Sequence, residues 1–242
     1  MEKELLPEEF TFEKPDDDYK RKSIAEKICQ LLKLGKNISP MVIDGNWGSG
    51  KSVFCYKLIN LLKSEEGVEI AGNEYQTIYI DAFKADHADE PLMSLMAGIL
   101  QIAPESDKPN LKDKAMPVVR AVAKMVGKAG LQWVFKQDFT KVAGDFKDDL
   151  QENCEAAINY SVESLVKDHM ETEKNIATFK DALGKLAKTK PIVIFVDELD
   201  RCRPDFAVNM LENIKHIFDV EGVQFILVAN MNQLKASISH CY

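Results

Sequence analysis

Apolar residues along this chain recur with two periods, and the alternation between them lays out the elements. Ile24, Ile28, Leu31 and Leu32 fall at helical spacing, so residues 23–34 predict an amphipathic helix that the polar stretch 35–39 ends. Met41-Val42-Ile43-Asp44 then reads as a short strand. Val53, Tyr56, Leu58, Ile59 and Leu62 mark a second helix, expected to stop at the polar cluster 64–67. A strand is predicted over 76–80, ending at Asp81. From about residue 90 to 188 the pattern is mostly helical, and Ile176, Phe179, Leu183 and Leu186 line one face of the charged stretch 148–188. Two more strands, 191–196 and 223–228, enclose a helix over 205–218 with Ala207, Leu211, Ile214 and Phe218 at core spacing. Three of these strands are continuous apolar runs separated by helices. Strands buried on both faces of a parallel sheet read this way, so the class is α/β.

Candidate chemistry sits where the first strand meets the second helix. Gly45-Asn46-Trp47-Gly48-Ser49-Gly50-Lys51-Ser52 fits the pattern G-x-x-x-x-G-K-[ST], a phosphate-binding P-loop (Walker A), with Val53 opening the helix behind it. Each fixed residue has a physical task. Glycine lets the backbone curl until successive N–H groups point at phosphate oxygens. The helix N-terminus adds unpaired N–H groups and a positive dipole end. Lys51 is expected to reach the β- and γ-phosphates, and Ser52 to offer its hydroxyl to Mg2+. The other half is predicted after the strand Ile192-Val193-Ile194-Phe195-Val196, which delivers Asp197 and Glu198 to the C-terminal edge of the sheet (Walker B). Asp197 is expected to hold the metal beside Ser52, and Glu198 to polarise an attacking water. Asn230, at the end of the fourth strand, is a candidate for contact with the γ-phosphate or that water; capping of the strand end is its alternative role. Arg201 and Arg203 are candidates to stabilise phosphoryl charge in a neighbouring subunit. A salt bridge to Asp197, Glu198 or Asp200 is the alternative for either.

These residues together resemble the KAP family of P-loop NTPases. The resemblance lies in the loop with Trp47 inside it, in Asp197-Glu198-Leu199-Asp200-Arg201-Cys202 after a buried strand, in 225–234, and in the lead-in Asp18-Tyr19 and 21–25. It covers about 16–85 and 179–242. It implies a P-loop NTPase three-layer sandwich with a mainly parallel sheet, an extra strand between the P-loop strand and the acidic one, and binding of ATP with Mg2+. Bacterial relatives are often associated with exclusion of phage, and some relatives are membrane-anchored signalling scaffolds. Nothing like the N/T-K-x-D guanine signature occurs, which favours ATP over GTP. Two departures stand out. Asn230 occupies a position where many relatives carry an acid, and the separation of Lys51 from Asp197, 197 − 51 = 146 positions, holds soluble helices where many relatives insert transmembrane ones.

The resulting expectation is three segments: an N-terminal arm and the P-loop half over 1–90, a helical insertion over 91–188, and the acidic-strand half over 189–242. Sheets of this type run in strand order 5-1-4-3-2. Strand five and a C-terminal lid are not found before Tyr242, so the P-loop strand is expected at an edge, which proteins normally cover. An incomplete domain, or a partner segment or subunit over that edge, is the expectation.

Composition narrows the partners. A net charge of −8 argues against general nucleic-acid binding. Five scattered cysteines without a CxxC pair fit reduced thiols in a cytoplasmic protein. The arm 1–18 is acidic, contains Pro7 and Pro15, lacks a signal-peptide core and reads as loosely docked. The least polar stretch, 117–135, carries Arg120, Lys124 and Lys128 at helical spacing, which excludes a bilayer span and leaves a soluble amphipathic helix or, alternatively, peripheral membrane contact. Self-association or a protein partner is expected. The leading function is an ATPase that switches a larger assembly; the alternative is a nucleotide-gated scaffold with little hydrolysis. A P-loop kinase ranks below both, since neither a lid nor an acceptor pocket is visible as a motif.

Overall fold

The computed structural model describes residues 10–13, 19–86, 91–126, 162–216 and 218–239. Four strands, β1 (Met41–Asp44), β2 (Gln76–Asp81), β3 (Ile192–Asp197) and β4 (Val223–Ala229), form one sheet in the order β1-β4-β3-β2. Every pair is parallel. The expected order 1-4-3-2 is therefore present, and β1 has β4 as its one strand neighbour among the described residues.

Side-chain alternation along the strands builds a core on each face. Ile192, Ile194 and Val196 of β3 join Phe225 and Leu227 of β4 and Ile78 and Ile80 of β2 on one face. Helices α5 (Pro91–Ile102), α6 (Lys108–Val126), α7 (Val162–Thr189) and α8 (Pro204–His216) close that core with Leu95, Ile99, Phe179, Leu183 and Phe206. Val193, Phe195, Ile226 and Val228 point to the other face, where α1 (Lys22–Leu32), α2 (Lys51–Lys63) and α3 (Glu65–Ala71) cover them with Cys29, Leu32, Cys55 and Leu58. The molecule is thus a three-layer α/β sandwich. β3 and β4 are buried along their whole length, which is why they read as unbroken apolar runs. β1, at the edge, buries Met41 and Ile43 only partly and leaves Val42 43% exposed.

The face predicted from Ile176, Phe179, Leu183 and Leu186 is the one α7 turns to the core. The 117–135 stretch falls within α6 as far as Val126, and no described helix is long and apolar enough to cross a membrane. Residues 127–135, 148–161, Cys154, Cys241 and most of the arm 1–18 lie outside the described residues.

α2 stops at Lys63, where the pattern puts its end. The polar cluster 64–67 does not simply end α2; it starts α3. Ser64 Oγ donates to Leu61 O at 2.7 Å and accepts from Gly67 N at 3.1 Å, so one serine closes one helix and caps the next. A Cβ on Gly67 would lie 1.8 Å from Leu61 O, so only glycine permits this tight reversal.

Candidate functional site

The parallel sheet brings the C-terminal ends of its strands to one edge, with Asp44 level with Ala229, Asp197 with Val228, and Asp81 with Asp197. The loop after β1 rises there and enters α2. Gly48 and Gly50 both take left-handed backbone angles, φ 72° and 78°, that side chains disfavour. Gly50 is the N-cap of α2, and no side chain caps that end, so the first-turn N–H groups remain available to an anion. Lys51 folds back over the loop, its Nζ donating to Gly45 O at 2.7 Å and Asn46 O at 3.2 Å. Arg21, just before α1, braces the loop from outside by donating from Nη1 to Ser49 O at 2.9 Å.

Facing the loop is the end of β3. Asp197 is 1% exposed. Its Oδ1 accepts from Glu198 N at 2.8 Å, and its Oδ2 accepts from the Tyr79 hydroxyl at 2.8 Å. Burial, then the Asp197 charge, push the Tyr79 phenol far above its ordinary range, so it stays a donor. Burial likewise raises the Cys55 thiol beneath the loop, with Asp197 adding to the effect. Glu198 adopts φ 60°, unusual for a residue with a side chain, and starts a 3-10 turn, Leu199–Arg201. That turn returns Arg201 to Glu198, Nη1 to Oε1 at 2.7 Å. The Arg201 guanidinium also lies 5.1 Å from the Trp47 ring centroid and 4.6 Å from that of Phe83.

Trp47, Gly48, Ser49, Gly50, Lys51, Ser52 and Val53 thus share one cavity of about 250 Å3 with Asp197, Glu198, Asp200 and Arg201. Gly45 and Asn46 belong to the same loop through their hold on Lys51. Asn230 is placed differently. Its Oδ1 accepts from Asn232 N at 3.1 Å and Gln233 N at 3.2 Å, capping α9 (Met231–Ile238), and it does not line the cavity. Asp44 supports the same helix start by accepting from Met231 N at 2.9 Å. Arg203 has the more distant Asp86 as an ion-pair partner. Its backbone N and its Nε donate to the buried Asp86 carboxylate, both at 3.0 Å. No cluster of three or more His, Cys, Asp or Glu among the described residues could chelate a metal unaided. A magnesium ion here would therefore need phosphate oxygens and water beside Ser52 and Asp197, which is how this hard, reluctantly dehydrated ion is usually held.

Sequence reasoning passed over Tyr79 and Arg21. Tyr79 carried a faint signal, a hydroxyl in the middle of the strand Thr77-Ile78-Tyr79-Ile80, where burial demands a partner for it. Arg21 fell inside the lead-in segment without a role.

Comparison with known proteins agrees with this geometry. An uncharacterized protein of Methanocaldococcus jannaschii is 33% identical over 73 residues, 27% of this chain and 38% of its own length. The chain thus spans well under half of that relative. The KAP family P-loop domain matches residues 21–242, nearly the whole chain and all of the cavity's lining. Loop, acidic strand end and strand order therefore converge with that match: the chain belongs to the KAP family of P-loop NTPases, a nucleotide-binding family.

Proposed function

We propose that this protein binds ATP with Mg2+ in the cavity between the P-loop and the end of β3, and hydrolyses it to switch a larger assembly. The observation that carries the reading is the shared cavity, which sets the loop and α2 N-terminus opposite Asp197 and Glu198. Loop N–H groups from Gly48 to Ser52 bind the phosphates, and Lys51 exchanges its carbonyl partners for phosphate oxygens. Ser52 and Asp197 would hold the magnesium, with Tyr79 orienting the Asp197 carboxylate through Oδ2. When bound, that ion neutralises charge on the phosphate oxygens. Glu198 orients the attacking water and accepts its proton. Asn230 keeps only its amide donors for a phosphate or a water, because its oxygen caps α9. Choice of ATP over GTP rests on the missing guanine signature.

One observation favours the second reading, a nucleotide-gated scaffold with slow turnover: Glu198 is already paired with Arg201. We also place the protein in the cytoplasm, on its scattered cysteines, of which Cys29, Cys55 and Cys202 are buried and free. A protein partner or self-association, and an output such as phage exclusion, are carried by the family alone. Phosphate release from Mg2+ and ATP is the test. Glu198→Gln should retain ATP binding and lose turnover; undiminished hydrolysis would remove Glu198 from the mechanism. Tight ATP binding without phosphate release at any protein concentration would favour the scaffold.

A further inference from the structure

The geometry points to Arg201 as a positioning residue that trades Glu198 for the terminal phosphate of a bound nucleoside triphosphate, with Trp47 reporting the exchange. This inference rests on the nucleotide reading above and adds a device to it.

Arg201 has a firm base and a divided guanidinium. Its backbone N donates to Glu198 O at 3.1 Å, and Leu199 in the same turn is fully buried, which anchors the turn. A guanidinium binds oxygen acceptors in its plane and stacks through its faces. Here Nη1 meets the Glu198 carboxylate, while Trp47 and Phe83 lie within stacking distance of the same group. Trp47 is 73% exposed at the crest of the P-loop, so this contact ties the phosphate loop to the acidic turn. Phe83, on α4 (Ala82–Asp86), anchors the third corner from the end of β2.

The Glu198–Arg201 pair is built to be replaced. Both side chains are part-exposed, 26% and 34%, a setting in which an ion pair changes an equilibrium only a few-fold. A terminal phosphate offers more negative charge and three oxygens that match the guanidinium fork. Arg201 lines the same cavity as Lys51 and the loop that would carry that phosphate. Once Arg201 turns to the phosphate, the Glu198 carboxylate loses its cation and is free to accept a proton from water. Trp47 loses or changes its cation–π partner in the same step. A diphosphate lacks the group that competes, so it leaves Glu198 paired. The acid would then be released only by a nucleotide that carries the third phosphate.

The test uses the whole chain carrying Trp133→Phe, which leaves Trp47 as its single tryptophan. At saturation, a non-hydrolysable ATP analogue with Mg2+ should shift Trp47 emission, and ADP with Mg2+ should shift it much less. Arg201→Ala should make the two responses equal, whatever its affinities. Should that variant fail to fold, Arg201→Lys supplies the readout, because an ammonium cannot bridge a carboxylate in plane while stacking on two rings. Glu198→Gln, which weakens the competing pair, should bind the ATP analogue about 2- to 5-fold tighter relative to ADP. Equal Trp47 responses to both nucleotides in the starting protein, a difference that survives in Arg201→Ala, or no tightening in Glu198→Gln would each overturn the exchange. Binding is followed separately by anisotropy of a fluorescent ATP analogue. No binding there sinks the nucleotide reading and the exchange with it; binding without an ATP–ADP difference sinks the exchange alone.

Discussion

The two halves of the site are held in place by opposite means. The P-loop is a backbone object: left-handed glycines shape it, helix N–H groups line it, and its lysine is tethered to main-chain carbonyls. The end of β3 is a side-chain object. Asp197 is fixed by the Tyr79 hydroxyl from the neighbouring strand, and Glu198 by Arg201. A backbone cradle is set by a contiguous run of residues, whereas a side-chain network needs partners from several elements. The loop should therefore fail chiefly through its own residues, and Asp197 through Tyr79 on the neighbouring strand.

The largest effect is expected at the loop. Lys51→Ala removes the charged donor aimed at the phosphates and should weaken ATP binding on the order of 100-fold, measured by calorimetry, with little change in unfolding midpoint. The reverse pattern is expected at Tyr79→Phe. Losing the phenolic donor leaves a buried carboxylate oxygen short of a partner and should cost about 2 kcal/mol in urea unfolding. That deficit should narrow when ATP and Mg2+ are added, if the ion takes over the same carboxylate. An unchanged deficit would place Tyr79 in the fold alone. Asn230→Ala should be smaller again, about 1 kcal/mol from loss of the α9 cap, with ATP affinity unaltered. A tenfold loss of affinity there would show that the Asn230 amide donates to the phosphates and not to the water alone.

The smallest effect concerns α1, the helix that follows the Arg21 brace. Burial pushes the Cys29 thiol up to about 11, above its ordinary 9.0. The unfolded chain ionises first, so the contribution is fully present below pH 9 and declines as pH rises toward 11. Denaturation at pH 8 and pH 10 should show that decline, and Cys29→Ala should lose less across the same interval.

Legibility divides along the same line. The four strands, the helices that flank them and the phosphate loop were readable because each depends on neighbours within a few residues: an alternating or helical period, a glycine, a lysine after it. The start of α3 is not legible, because Ser64 and Gly67 look like the stop that they are for α2, and only the tight reversal onto Leu61 makes them a start as well. Glu198 and Arg201, three apart, were within reach of sequence reasoning, and their ion pair was among the alternatives. Arg203 was not, since its partner Asp86 lies 117 positions away.

The sequence by itself determined an α/β sheet, a P-loop pattern and an acidic strand end, and with the loop's tryptophan it pointed to the family that the comparison established. Tertiary structure alone decided what holds those parts. It set Tyr79 against Asp197 across 118 positions, gave Asn230 to a helix cap, and gathered Trp47 and Phe83 around Arg201. The reason is physical. Periodicity encodes which way a side chain faces, but which side chain it meets depends on strand order and register, and those are fixed only when the sheet closes on its two cores.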